Sequence, residues 1–316
     1  MANAGNLSRR ATILGLALTV CAAARLGAQA RNEADLNKQI DIYRAASLRA
    51  DPPEMRPLQA GRIWTRLGML YEEAGSYAQS EMAFLHALRL LETPPAQQAD
   101  LARAMDELGT LYMVRGDLQQ AERAQRHALQ IRQSQKLNRD LPRSWFHLAV
   151  LELREHNAEK ALDYAGQAVT LLRATPGVDA DDRINAFFVL AVAQCKLRHY
   201  PEAIATLQEA MAVVSSSYGP EDFPTGFGSF LLGYAYWKSG DAAAAAEPMR
   251  IGAAQVEKSL GWQHPACVSV MTQYEQFLRS THHREEAREV GEQLKQALRS
   301  PAPGRSPETL NAFSLF

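Results

Sequence analysis

Cysteine is scarce: Cys21, Cys195 and Cys267 are the only three in 316 residues, too few for a disulfide framework and without a CxxC pair for metal or redox chemistry. Excess positive charge is lacking too. The 34 lysines and arginines stand against 35 acidic residues, which excludes a general nucleic-acid binder, since such binding needs clustered cations to displace phosphate counterions. No HExxH, Walker-type glycine loop or GxSxG motif occurs, and Gly226-Phe227-Gly228 lacks the third glycine of a dinucleotide fingerprint. His282 and His283 are adjacent, so their side chains diverge and cannot share one metal. Glu285-Glu286 reads as a solvated face. These absences exclude the common hydrolytic, phosphoryl-transfer and metal chemistries, and the expectation is no enzyme, no cofactor and no metal.

The first thirty residues differ from the rest. Arg9-Arg10 precedes the uncharged apolar run Ala11–Ala24, and Ala28-Gln29-Ala30 comes after it. That order is a secretory signal peptide over residues 1–30, cleaved after Ala30. The apolar run has 14 residues, short of the roughly 20 that a permanent membrane span requires. Ser8-Arg9-Arg10 is similar to a twin-arginine signal, but Thr12 stands where a large apolar residue is usual, so Sec and twin-arginine routes both stay open. Val20 before Cys21 does not suit a lipoprotein signal. Loss of Arg9, Arg10 and Arg25 leaves 31 basic against 35 acidic residues, and the expected location is periplasmic or secreted.

A repeat dominates the rest of the chain. Trp64, Leu67, Gly68, Tyr71, Gly75, Ser80, Phe84 and Ala87 are echoed by Met105, Leu108, Gly109, Tyr112, Gly116, Ala121 and Ala128, and by Trp145, Leu148, Ala149, Ala161, Ala165 and Ala168. Further units run through Phe187, Leu190, Ala191, Ala203, Leu207 and Ala210, through Leu232, Gly233, Tyr236, Gly240, Ala245, Met249 and Gly252, and through a degenerate Met271, Tyr274, Leu278, Ala287 and Leu294. Small residues at fixed places let paired helices approach closely while large ones fill the flanking space. This pattern resembles the tetratricopeptide repeat (TPR) family. Successive units start 41, 40, 42, 42 and 42 residues apart, longer than the roughly 34 of the standard repeat. That spacing, with Leu260-Gly261-Trp262-Gln263-His264-Pro265, is similar to the kinesin-light-chain type.

The resemblance implies an all-α fold, a right-handed α-solenoid of about six TPR-like hairpins over residues 57–299. An N-terminal capping helix and linker occupy 31–56, with Leu36, Ile40 and Tyr43 at helical spacing ahead of Pro52-Pro53. Residues 300–316 form a flexible tail ending in Leu310, Phe313, Leu315 and Phe316.

The resemblance also implies a concave groove lined by the first helix of each hairpin. Counting the Trp-type residue as position 4, positions 2, 5, 9, 12 and 13 face the groove. The expected partner-binding residues are Phe146, Val150 and Arg154 in the third unit, Asn185, Phe188, Val192 and Lys196 in the fourth, and Phe227, Phe230, Tyr234, Trp237 and Lys238 in the fifth. Arg143, Leu153 and Cys195 occupy the remaining places. Arg154, Lys196 and Lys238 recur every 42 residues, a row of cations suited to an acidic ligand. Thr65 and Met69 replace the Lys and Asn of the carboxylate-clamp subgroup, so that clamp is not expected. The function expected is a non-enzymatic scaffold binding a protein or peptide of acidic character; the alternative is an accessory subunit of an envelope secretion or cell-wall enzyme complex.

Overall fold

A computed structural model of the chain describes residues 33–50, 57–92, 98–175 and 177–299. The expected signal peptide, the linker at 51–56 and the C-terminal tail lie outside the described residues. Thirteen helices and no strand occur among those described. They are α1 (Glu33–Ala50), α2 (Pro57–Glu73), α3 (Tyr77–Leu91), α4 (Gln98–Arg115), α5 (Leu118–Ser134), α6 (Leu141–Arg154), α7 (Ala158–Ala174), α8 (Ala180–Lys196), α9 (Tyr200–Ser217), α10 (Phe223–Ser239), α11 (Ala242–Leu260), α12 (Pro265–Ser280) and α13 (Arg284–Arg299). From α2 onward, α2 pairs with α3, α4 with α5, α8 with α9, α10 with α11 and α12 with α13 as hairpins, an all-α repeat fold of solenoid type. None is long and apolar enough to cross a membrane.

The same turn follows α2, α4, α6, α8, α10 and α12. The residue at Gly75, Gly116, His156, Arg198, Gly240 or His282 has positive φ, between 63° and 101°. The next amide donates to the carbonyl five residues back, as in Ser76 N to Tyr71 O at 2.8 Å, His199 N to Gln194 O at 2.8 Å and His283 N to Leu278 O at 2.9 Å. This satisfies carbonyls that the helix end would otherwise leave without partners. The following helix then starts with the amide of a small residue, Ser80, Ala121, Ala161, Ala203, Ala245 or Ala287, donating to the carbonyl four residues earlier at 3.0–3.2 Å. Glycine supplies the left-handed residue in only half of these turns. Two histidines and an arginine supply the rest, so His282 of the histidine pair is a turn residue.

The chain divides into two compact units, described separately: residues 31–151, and a second whose described residues begin at Glu152. In the first, α1 lays Leu36 and Ile40 on Leu67, Leu70, Tyr71 and Ala83 of the first hairpin. Arg44 of α1 donates from Nε to Tyr71 Oη at 3.2 Å. A second cluster joins the first two hairpins through Ala87, Leu91, Leu101, Met105, Ala128 and Ile131. Gly68 is small for a reason: a Cβ there would sit 2.7 Å from the Phe84 ring. Within this unit the buried Asp106 and Arg132 form an ion pair at 2.6 Å, and Arg132 also donates to Ser144. Burial pushes the Asp106 carboxyl up while Arg132 pulls it down.

In the second unit α10 and α11 approach each other backbone to backbone. A Cβ on Gly252 would lie 2.5 Å from Phe230 N and 2.6 Å from Gly226 O, and one on Gly233 would lie 2.7 Å from Met249 N. The Gly-x-x-His-Pro link also has a mechanical meaning. Gly261, at φ 72°, ends α11; His264 caps α12 by accepting from Ala266 N; and Pro265 opens the helix where its missing N–H is not needed.

Candidate peptide-binding face

The first helices of the hairpins carry the residues that the repeat register assigns to an inner face. In residues 31–151 these include Phe146 and Val150 on α6, both buried. Phe146 packs edge-on against His147 with ring centroids 5.1 Å apart. The remaining assigned positions belong to the second unit, on the end of α6 and on α8 and α10.

There the aromatic stripe forms a packed seam. Phe188 of α8 meets Phe227 of α10 edge-on at 5.6 Å, and Phe227 stacks on Phe223. Phe188, Phe227, Phe230, Tyr234 and Val192 are each exposed by 2% or less. The expectation that these side chains line an open groove is therefore corrected: they are core. The cause is the close spacing of successive first helices, which brings α8 onto α10 and α10 onto α12. Replacing Phe188 or Phe230 by alanine would act first on folding, because a buried aromatic carries a large share of apolar contact. Arg154 is also buried, and it has partners of its own.

Four of the assigned residues keep part of their side chains in solvent: Asn185 and Lys196 on α8, and Trp237 and Lys238 on α10. Trp237 sits edge-on between Tyr234, at 6.0 Å, and Phe277 of α12, at 5.9 Å. The Lys238 ammonium rests 3.4 Å from the Trp237 ring centroid and 5.2 Å from that of Tyr234, a cation–π arrangement that holds the charge over an aromatic platform. Lys196 has no ion-pair or hydrogen-bond partner among the described residues, and burial lowers its pKa to about 8. Burial raises the neighbouring Cys195 thiol to about 12 and the Tyr234 phenol well above its usual range. These groups stay protonated and neutral at pH 7, so of the assigned positions on α8 and α10 the charged ones are Lys196 and Lys238.

No group of three or more metal-ligating side chains occurs among the described residues, and His282 and His283 lie in the α12–α13 turn. A cavity of about 510 Å³ within the first unit was not expected from the sequence; Tyr43, Arg62, Arg66, Met69, Asp100 and Arg103 are among its lining residues. Its signal was present in the register. Arg62 and Arg103 both hold position 2 of their units, and Arg66 is one turn beyond Arg62.

The tetratricopeptide repeat model matches residues 59–134 and 140–216. Among solved structures, BtubC from P. vanneervenii is 19% identical at a TM-score of 0.58, over 70% of this chain and 89% of that one. Kinesin light chain-type TPR-like repeats from Podosopora anserina are 17% identical at 0.52, over 64% and 97%. The Rap conjugation gene regulator of plasmid pLS20, solved in complex with the Phr* peptide, is 14% identical at 0.61, over 84% and 71%. No curated protein sequence matches the chain. At these identities the structural likeness is one of fold. In its two matched stretches the chain carries tetratricopeptide repeats, and its described residues have the all-α repeat fold of that kind.

Proposed function

We propose that this protein is a non-enzymatic scaffold that holds an acidic polypeptide against the face formed by α8 and α10. The observation that carries the reading is the pair of half-exposed lysines 42 residues apart on successive first helices. Lys238 is seated on an aromatic platform, and Lys196 has no counter-charge. A desolvated ammonium without a partner gains more from an incoming carboxylate than a fully hydrated one does. Trp237, under the Lys238 ammonium, offers apolar area of the kind that anchors interfaces. A solved protein of similar fold, the Rap regulator of pLS20, holds a peptide, which supports polypeptide binding by such a fold.

The test is capture of a partner from an envelope extract by the immobilised protein, with the Lys196→Glu, Lys238→Glu double variant alongside. The wild type is expected to retain one acidic partner, released by raised salt, and the variant to lose it while melting normally. Equal capture by both proteins would sink the assignment of this face. We further propose that the protein works in the periplasm or outside the cell, on the strength of the Arg9-Arg10, Ala11–Ala24 and Ala28-Gln29-Ala30 pattern. Fractionation with N-terminal sequencing should find Arg31 first, and a cytosolic product beginning at Met1 would contradict this.

A further inference from the structure

Helix α1, the first of the described helices, is apolar on two sides. One side lies on the first hairpin through Leu36 and Ile40, with Ser47 buried and Tyr43 half-buried in the same stripe. The opposite side carries Lys38, Asp41, Ile42, Ala45, Leu48 and Arg49, all six exposed. At the α-helical repeat these positions fall within about 60° of Ala45 around the axis, so they form one continuous stripe. Ile42 is 56% exposed and Leu48 72%. The terminal elements of a repeat array ordinarily keep a polar outer face, which prevents further stacking. Helix α13 follows that rule, with Glu285, Arg288, Glu289 and Glu292 exposed. Helix α1 instead presents two large aliphatic side chains flanked by charges of both signs, the composition of a contact surface.

We propose that this stripe joins two copies of the chain, α1 of one packing antiparallel on α1 of the other about a two-fold axis at Ala45. The order of the residues argues for that occupant and that direction. A two-fold axis at Ala45 brings level the positions that lie equally far before and after it. Asp41 then stands level with Arg49 of the second copy, and Ile42 with Leu48 of the second copy. Each oppositely charged pair and each apolar pair is made twice, as an isologous contact requires. The one position that meets itself is alanine, small enough to let the two helices approach closely. Asp41 has an existing contact with Arg44, 3.5 Å away on its own helix, but its side chain is 74% exposed and open to a second cation. A parallel pair would set Asp41 against Asp41 and Arg49 against Arg49, which like-charge repulsion disfavours. Two helix faces cover less than the ~800 Å² per partner of a standard interface, so the dimer is weak, with a Kd of about 10–100 µM. This surface faces away from the first hairpin, and the inference does not depend on the polypeptide-scaffold reading.

Sedimentation equilibrium of the full chain tests this. The wild type is expected to pass from monomer to dimer as its concentration crosses that Kd. Asp41→Arg and Arg49→Asp each set like charges level with one another at both ends of the contact, and each should weaken dimerisation by about tenfold or more. The double variant Asp41→Arg, Arg49→Asp restores both pairs with their signs exchanged and should dimerise as the wild type does. That rescue is a readout which a parallel pair, or a structural role of either side chain within its own copy, does not give. These substitutions change exposed side chains, so melting should stay the same throughout. In a second measurement, Ala45→Cys should cross-link two copies under mild oxidation, whereas Asn37→Cys, exposed on α1 but more than two turns from the axis, should not. Cys195 and Cys267 are buried and do not compete. The proposal is overturned if the protein stays monomeric at several times the expected Kd, or if the single variants dimerise as the wild type does. It is overturned equally if the double variant gives no rescue, or if Asn37→Cys cross-links as readily as Ala45→Cys. A monomer that melts lower with Leu48→Glu would also overturn it, since the stripe would then be covered within its own chain.

Discussion

At the scale of single residues, the hairpin turns show conformation outlasting residue type. A left-handed backbone costs an ordinary L-residue about 1–2 kcal/mol, which glycine avoids. Arg198, at φ 64°, and His282, at φ 66°, bear that cost where other units use glycine. Arg198→Gly and His282→Gly should therefore each stabilise the protein by about 0.5–1 kcal/mol, while Gly240→Ala should destabilise it; urea denaturation of the three variants checks both signs. Lys196 carries a second residue-level prediction. Its folded pKa of about 8 lies below the ordinary 10.5, so the folded state disfavours the charged form. That cost is present in full below pH 8 and fades as the pH rises from 8 to 10.5, where the unfolded chain loses its proton as well. Lys196→Met should then raise stability by about 1–3 kcal/mol at pH 7 and by much less at pH 10.5. A gain independent of pH would mean that packing alone is responsible.

At the scale of elements, the α10–α11 pair is defined by backbone contact. Gly252→Ala would drive a methyl group against the main chain of Phe230 and Gly226, which no side-chain rotation relieves, and should cost about 1–3 kcal/mol or more. Gly166→Ala in α7 meets nothing within 4 Å and should be neutral or stabilising by up to about 1 kcal/mol. Thermal melts of the two variants separate close packing from helix propensity. These small residues were legible in the sequence because a helix crossing demands the same size at the same place in every unit, and the helix pairs follow from that period. The accessibility of the inner face was not legible. Register assigns Phe188 and Phe227 to the same side as Lys196 and Lys238, but it contains no distance between α8 and α10, and that distance decides which of them is core. The arginine cavity escaped for a related reason: the register places Arg62, Arg66 and Arg103 but does not say that α1, α2 and α4 come together beside them. Turn residues such as His156 gave no signal because only glycine advertises a left-handed backbone.

At the scale of the whole molecule, a repeat array has contacts only between neighbours, so stability is distributed in segments. Helix α1 covers one end of the first unit with Leu36 and Ile40. Leu36→Ala with Ile40→Ala should speed amide exchange in α2 and α3 and leave exchange in α10 and α11 unchanged; acceleration throughout would show a fully cooperative chain. One feature also makes the molecule its own reporter. The ammonium of Lys238 lies against the indole of Trp237, close enough to perturb its excited state. An acid that drew the ammonium off the ring would change the emission of one tryptophan among four, so occupancy of the α8–α10 face could be followed optically in the unlabelled protein, with Lys238→Met as the silent reference.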